Sequence, residues 1–305
     1  MNPFSSRGSL AAMPLSTIYS LFLLLFIFAV DLPARGHPLT FDDLLRVRRI
    51  SQPAVSPDGR WVAFVQTTYD STEYEPSSDI FILPLAGGRI RALTAGGRGN
   101  GQPMFTPDGK SLIFASTRTG SRQFFLLPLK GGGEAVQITS HESGAHGGAL
   151  SPDGELLLYH ATVLVDSLSV VGYKGPDSTP RARIIDNLLF RHWDHWREGS
   201  YSHLFCKRIR GDEKALDLTP GRIDCPPVSL GSDSDYGVGS DGRHVYYTAN
   251  SDPVVALSTN NDIWRVGTDG RGLVKITENP ANDNLVALSP DGRYLAYRAM
   301  ARPGF

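Results

Sequence analysis

The chain has 305 residues, with 30 Lys plus Arg against 31 Asp plus Glu and a formal net charge of −1. That balance excludes the net positive surface on which phosphate-neutralising nucleic-acid binding depends. Its 41% hydrophobic content can bury a core, while 32 Gly and 21 Pro demand many turns and leave little room for long helices, so the expected class is all-β.

From the amino terminus, Ile18 to Val30 is a 13-residue apolar run following Arg7 and ending at Asp31. A membrane-spanning helix needs about 20 apolar residues and a secretory core about 7 to 15, so the run reads as an export signal. Ala34 and Gly36 supply the small residues for cleavage after Gly36, which makes residues 1–36 a signal peptide and the mature protein periplasmic or secreted. An uncleaved anchor and a start at Met13 are the alternatives. No Cys follows the cleavage point, so a lipid anchor is unsupported, and no stable membrane anchor is expected. Thr40 to Ile50 reads as a short helix with Thr40 as N-cap and Asp43 three residues on, within a lead-in over residues 37–53.

One phrase then recurs five times: SPDGRWVAFV, TPDGKSLIFA, SPDGELLLYH, GSDGRHVYYT and SPDGRYLAYR, anchored at Asp58, Asp108, Asp153, Asp241 and Asp291. Spacings of 50, 45, 88 and 50 residues fall in the range of β-propeller blades, each a four-stranded sheet. Pro presets φ in the turn, Asp bonds neighbouring backbone and Gly accepts positive φ. The strand after each turn carries an aliphatic column (Val62, Leu112, Leu157, Val245, Leu295) and, two residues on, an aromatic one (Phe64, Phe114, Tyr159, Tyr247, Tyr297). Alternate residues share a face, so both columns are expected to pack against a neighbouring blade. Hairpins ending in Leu-Thr or Ile-Thr complete the blades, as in DIFILPLAGGRIRALT from Asp79.

The reading is therefore four complete blades plus a partial fifth over residues 54–305. Asp58 to Thr94 spans 36 residues but Asp153 to Thr219 spans 66, so the third blade carries an insertion, 161–200, and no hidden blade. Because the fifth repeat stops without its second hairpin, an unpaired sheet edge is expected and the chain reads as truncated.

The insertion holds the densest polar and aromatic cluster, with Arg191, His192, Trp193, Asp194 and Trp196 as candidate substrate-facing residues. The alternative is structural, the two tryptophans clamping the insertion to the propeller. His192, Asp194 and His195 have ligand chemistry but no helical spacing to support a site, so no metal is expected. Cys206 and Cys225 are the only cysteines and form a candidate disulfide; two free buried thiols are the alternative. No Gly-x-Ser-x-Gly occurs, and runs such as Gly131-Gly132-Gly133 read as hairpin turns rather than phosphate loops. No catalytic residue is assigned and no cofactor is expected.

Taken together, LTFDDLLRVRRISQPAVSPDGRWVAFV, RHWDHWREGSYSHLF, ALSTNNDIWRV and SPDGRYLAYRAMARPGF resemble the propeller of secreted prolyl oligopeptidase family serine peptidases, in the dipeptidyl and acylaminoacyl peptidase branch. The resemblance covers about Leu39 to Phe305. It implies a seven- or eight-bladed propeller followed by an α/β-hydrolase domain with a Ser, Asp, His triad, through which a short peptide substrate is cut. None of that domain's residues is present, so this portion is expected to be inactive alone. A stand-alone periplasmic binding propeller of the Tol-system type is the other reading, since fold does not settle function. A propeller glycosidase needs paired carboxylates at a central channel, whereas Asp and Glu here sit mainly in turns.

Overall fold

The computed structural model of the chain describes residues 37–96, 99–166, 188–233 and 235–304. The expected signal segment and the middle of the insertion lie outside the described residues. Met1–Leu44 and Leu45–Phe305 form separate compact units. Helix α1 (Phe41–Arg46) opens on the expected capping box, with Asp43 N–H donating to Thr40 Oγ1 at 3.3 Å and Thr40 N–H to Asp43 Oδ2 at 2.9 Å. The helix stops at Arg46 rather than running to Ile50, because Arg49 to Val55 is already a strand, with Ile50 paired to Gln66. The first sheet thus begins ahead of the boundary at residue 54.

In the second unit β1 (Arg49–Val55), β2 (Trp61–Tyr69), β3 (Pro76–Pro84) and β4 (Arg91–Ala92) make one antiparallel sheet in chain order. The same order holds for β5 (Gly101–Phe105), β6 (Ser111–Thr119), β7 (Ser121–Pro128) and β8 (Val136–Gln137). In the third sheet β9 (His146–Leu150) and β10 (Leu156–Leu164) precede the insertion hairpin of β11 (Arg191–His192) and β12 (His195–Trp196), and β13 (Ser200–Arg208) and β14 (Leu216–Asp217) follow it. The fourth has β15 (Tyr236–Val238), β16 (His244–Asn250), β17 (Asn261–Gly267) and β18 (Val274–Lys275), while the described part of the fifth is β19 (Asp283–Leu288) with β20 (Leu295–Ala299). These are four complete blades and a partial fifth.

The turn phrase does more than reverse the chain. Ser56 Oγ donates to Asp58 Oδ1 at 2.6 Å and accepts from Trp61 N–H at 2.9 Å, while Arg60 N–H donates to the same carboxylate at 3.1 Å. The hydroxyl bond repeats at Thr106–Asp108, Ser151–Asp153 and Ser289–Asp291. In each of these turns the hydroxyl, then the backbone N–H, holds the aspartate below its ordinary pKa. The fourth turn has Gly239 where the others have a hydroxyl, and His244 compensates, with Nδ1 2.6 Å from Asp241 Oδ2.

A second device closes each blade. Thr94 Oγ1 accepts from Ile80 N–H at 2.9 Å and donates to Asp79 Oδ1 at 2.8 Å, so the threonine ending strand four ties itself to strand three. Thr139, Thr219 and Thr277 accept in the same way from Phe124, Leu204 and Ile263 N–H. This explains the Leu-Thr and Ile-Thr endings.

The core lies between blades, as the alternation requires. Ala63, Val65 and Ile80 of blade one pack with Leu112, Phe114 and Phe125 of blade two. Ile113, Ala115 and Phe124 on the other face of blade two meet Leu157, Tyr159 and Phe205 of blade three, and Leu156, Leu158 and Leu204 in turn meet Val245, Tyr247 and Val266 of blade four. Each fully buried Leu or Phe contributes about 1.5–3 kcal/mol. In the partial fifth blade the aromatic column ends in Tyr297, 45% exposed.

Candidate functional site

The Asp-Gly turns lie at one end of each blade, and the loops between strands two and three lie at the opposite end with the connections between blades. The insertion is the longest such loop. Its hairpin pairs Arg191 with Trp196 and His192 with His195, which places Trp193 and Asp194 at the tip.

Among the described residues Trp193 does not clamp the insertion. Trp193 is 85% exposed, and Trp196 packs within the hairpin itself, stacked on Phe190 at 5.9 Å with the Arg191 guanidinium 5.9 Å from its ring. The anchor is Arg197 instead. Its Nη2 reaches both oxygens of Asp224 at 2.9 and 2.8 Å and also donates to Ser200 O at 2.9 Å, and its guanidinium lies over Tyr201. His195 and Asp194 are 3.2 Å apart and exposed, and among the described residues no group of three or more His, Cys, Asp or Glu could hold a metal ion.

His192 and Trp193 reach one wall of a groove of about 920 Å³ between blade three and the loops of blades four and five. Leu230, the short 3₁₀ turn Val255–Leu257, Asn260 and Pro280 complete it. Leu257 is 83% exposed, so two large apolar side chains, Trp193 and Leu257, flank an open groove. Its lining is polar as well as apolar, with Ser229, Asp252, Ser258, Thr259 and Asn260. Asp252 accepts from Ser258 Oγ at 2.6 Å and Asn260 Nδ2 at 3.2 Å, while Asn260 Oδ1 is buried with no hydrogen-bond partner among the described residues. An apolar side chain against Trp193 and Leu257 would suit this lining. Of the candidate residues, His192 and Trp193 line the groove; Arg191, Asp194 and Trp196 shape the hairpin that carries them.

Cys206 and Cys225 are free and buried, correcting the candidate disulfide. Cys225 N–H donates to Ser202 O, so Cys225 sits beside Ser202, four strand residues or about 13 Å from Cys206. That exceeds the reach of a disulfide, about 7 Å between Cα atoms. Burial pushes the Cys206 thiol up to about 11 and raises Cys225 well above the ordinary range.

A constellation that the sequence did not disclose lies where blades two, three and four meet. His160 stands in the column occupied by Val65 and Ala115 in the preceding blades; its Nε2 is 3.1 Å from Asp233 Oδ1 and its Nδ1 is 3.2 Å from Ser202 Oγ. Serine, histidine and carboxylate in a row invite comparison with a hydrolytic triad, but the protons run the wrong way. Ser202 Oγ donates to Cys225 O at 3.0 Å, which leaves it accepting from His160 rather than giving up its proton. The row is a structural tie between blades, not an activated nucleophile. Across the five blades that column reads Val65, Ala115, His160, Thr248 and Arg298, so the imidazole is not set apart by the pattern.

Comparison with known proteins now bears on this architecture. The family model described as TolB beta propeller domain matches residues 48–171. Dipeptidyl-peptidase 5 of Porphyromonas endodontalis is 27% identical over 279 residues, covering 89% of this chain and 40% of that protein. Dipeptidyl-peptidase 5 of Porphyromonas gingivalis is 26% identical over 88% of this chain and 40% of its own length. The resemblance is to the propeller portion of these peptidases. The chain spans about 40% of the length of these curated relatives. Among solved structures, the acylaminoacyl peptidase of Pyrococcus horikoshii superposes over 77% of this chain and 33% of that one with a TM-score of 0.55 at 15% identity, a likeness of fold. No helix among the described residues is long and apolar enough to cross a membrane.

Proposed function

We propose that the chain is the substrate-facing propeller of an exported serine exopeptidase that cuts short peptides, of the dipeptidyl or acylaminoacyl type. Its catalytic Ser, Asp and His are supplied by an α/β-hydrolase domain outside residues 1–305. The observation that carries this reading is the match along nearly the whole described chain to dipeptidyl peptidases of which it represents about 40%. The open groove flanked by Trp193 and Leu257 supports a surface that positions peptide rather than cleaving it. On this reading residues 37–304 contribute binding and access, and the chain alone is inert.

The test is to express the coding sequence through and beyond Phe305 and assay dipeptidyl and acylaminoacyl anilides. Hydrolysis is expected, with Trp193→Ala raising KM several-fold at nearly constant kcat, the signature of lost binding that is uniform between ground and transition states. Absence of hydrolysis would overturn the peptidase reading. It would favour a stand-alone exported binding propeller instead, the reading that the match to the TolB beta propeller domain supports.

A further inference from the structure

The Arg122 side chain has more donors than partners. It begins β7 at the loop end, half-buried, with Nη1 donating to Gly99 O at 3.3 Å. Among the described residues no carboxylate lies within 4.0 Å of its guanidinium. Its Nη2 lies near Gln52, and the Arg122 backbone lies beside His146. A methyl at Gly101 would sit 3.4 Å from Arg122 Nη2 and 3.1 Å from Gln52 Oε1, and one at Gly144 would sit 3.2 Å from His146 Nε2 and 3.3 Å from the Arg122 carbonyl.

The His146 ring lies 5.6 Å from that of His160, tilted by 31°, yet neither of its own ring nitrogens has a hydrogen-bond partner among the described residues. Burial first, then the neighbouring His160 and Arg122, lowers its pKa, and a neutral imidazole still offers one N–H. The nearby carboxylate, Asp233, is engaged by His160. A planar fork with spare N–H groups and a spare imidazole donor match a carboxylate, which accepts through two coplanar oxygens.

We infer that Arg122 and His146 form a binding site for the C-terminal carboxylate of a peptide, at the loop end of the inner strands. The inference rests on the peptide-binding reading above and deepens it. The connection between blades three and four supplies the continuity: Val228 to Leu230 wall the groove, and Asp233, three residues on, holds His160 beside His146. A short peptide lying along this connection would have its body against Trp193 and Leu257 and its free end at Arg122. The site would favour substrates with a free carboxylate and disfavour chains that continue past it.

The test is calorimetric titration of the 305-residue chain with an apolar pentapeptide, as free acid and as C-terminal amide, at pH 7. The free acid is expected to bind about tenfold more tightly than the amide, about 1.4 kcal/mol. Arg122→Gln should abolish the preference and leave amide affinity unchanged; His146→Phe should reduce it. Equal affinity for acid and amide, or a preference that survives Arg122→Gln, would overturn the inference. Loss of amide binding in Arg122→Gln would also do so, because it would mean that the groove itself had collapsed. The readout requires no hydrolysis: an active peptidase lacking the preference sinks this inference alone, whereas an intact preference with no hydrolase activity sinks the peptidase reading alone.

Discussion

Replacing Arg197 by Met tests how the insertion is held. The Arg197 and Asp224 side chains are 14% and 9% exposed, and the guanidinium contacts both carboxylate oxygens. Without it Asp224 keeps one backbone donor, Ser202 N–H at 3.0 Å. Leaving a buried charge unpaired in this way costs about 3–5 kcal/mol. At about 2–4 °C per kcal/mol for a domain of this size, the thermal midpoint should fall by roughly 6–20 °C. Asp224→Asn in the same chain removes the orphaned charge while keeping an acceptor for Ser202, so the double variant should regain at least about 2 kcal/mol relative to the sum of the singles. Urea denaturation of the four proteins measures both quantities. Arg197→Met within about 1 kcal/mol of wild type, or losses that simply add, would refute the anchor. Trp193→Ala serves as control: at 85% exposure it should change stability by no more than about 0.5 kcal/mol.

Gly148→Ala should destabilise by about 1–3 kcal/mol in the same assay, because its methyl would stand 2.6 Å from the ring of Phe124, which is fully buried between blades two and three. The turn aspartates set an acid limit. Their folded pKa values lie below the unfolded value of about 3.9, so their contribution is present above about pH 4 and is lost as pH falls through the lowered values. A combined Asp58→Asn, Asp108→Asn, Asp153→Asn variant should therefore show a flatter dependence of urea midpoint on pH in that range, and an unchanged slope would contradict the linkage. Cys206 and Cys225 should resist Ellman's reagent in the native protein and yield two thiols after unfolding, with or without reductant; fewer than two under non-reducing conditions would contradict the free-thiol assignment.

Blade number and the core columns were legible because each depends on local chemistry that repeats. Pro-Asp-Gly fixes a turn, and the strand after it alternates so strictly that Leu112 and Phe114 could be placed on one face from spacing alone. The first strands escaped notice. RISQPAV, GQPMF and HGGAL contain Pro or Gly and lack clean alternation, because each carries an irregularity in register: Gln52 and Gln102 take φ of 51° and 48°, and Gly147 takes 61°. The inner ends of neighbouring blades are tied at two places, since Gln52 Oε1 accepts from Gln102 N–H at 2.6 Å between blades one and two and Asp235 Oδ1 from Leu285 N–H at 2.9 Å between blades four and five. The insertion was legible as chemically rich, with a tryptophan clamp as one of two readings, but the tie of Arg197 to a partner 27 residues away was not. The tie of His160 to Asp233 spans 73 residues, and Arg122 gains its surroundings only when blades are set side by side. Such clusters leave no periodic trace.

The central claim is that the reactive serine belongs to a partner domain and that residues 37–304 present and orient peptide. Labelling with a serine-directed fluorophosphonate, followed by peptide mapping, tests it most directly. The 305-residue chain should remain unlabelled, and the product that continues beyond Phe305 should carry the label on one serine downstream. A label on Ser202, where histidine and aspartate stand nearest to a serine in a row, would contradict the account.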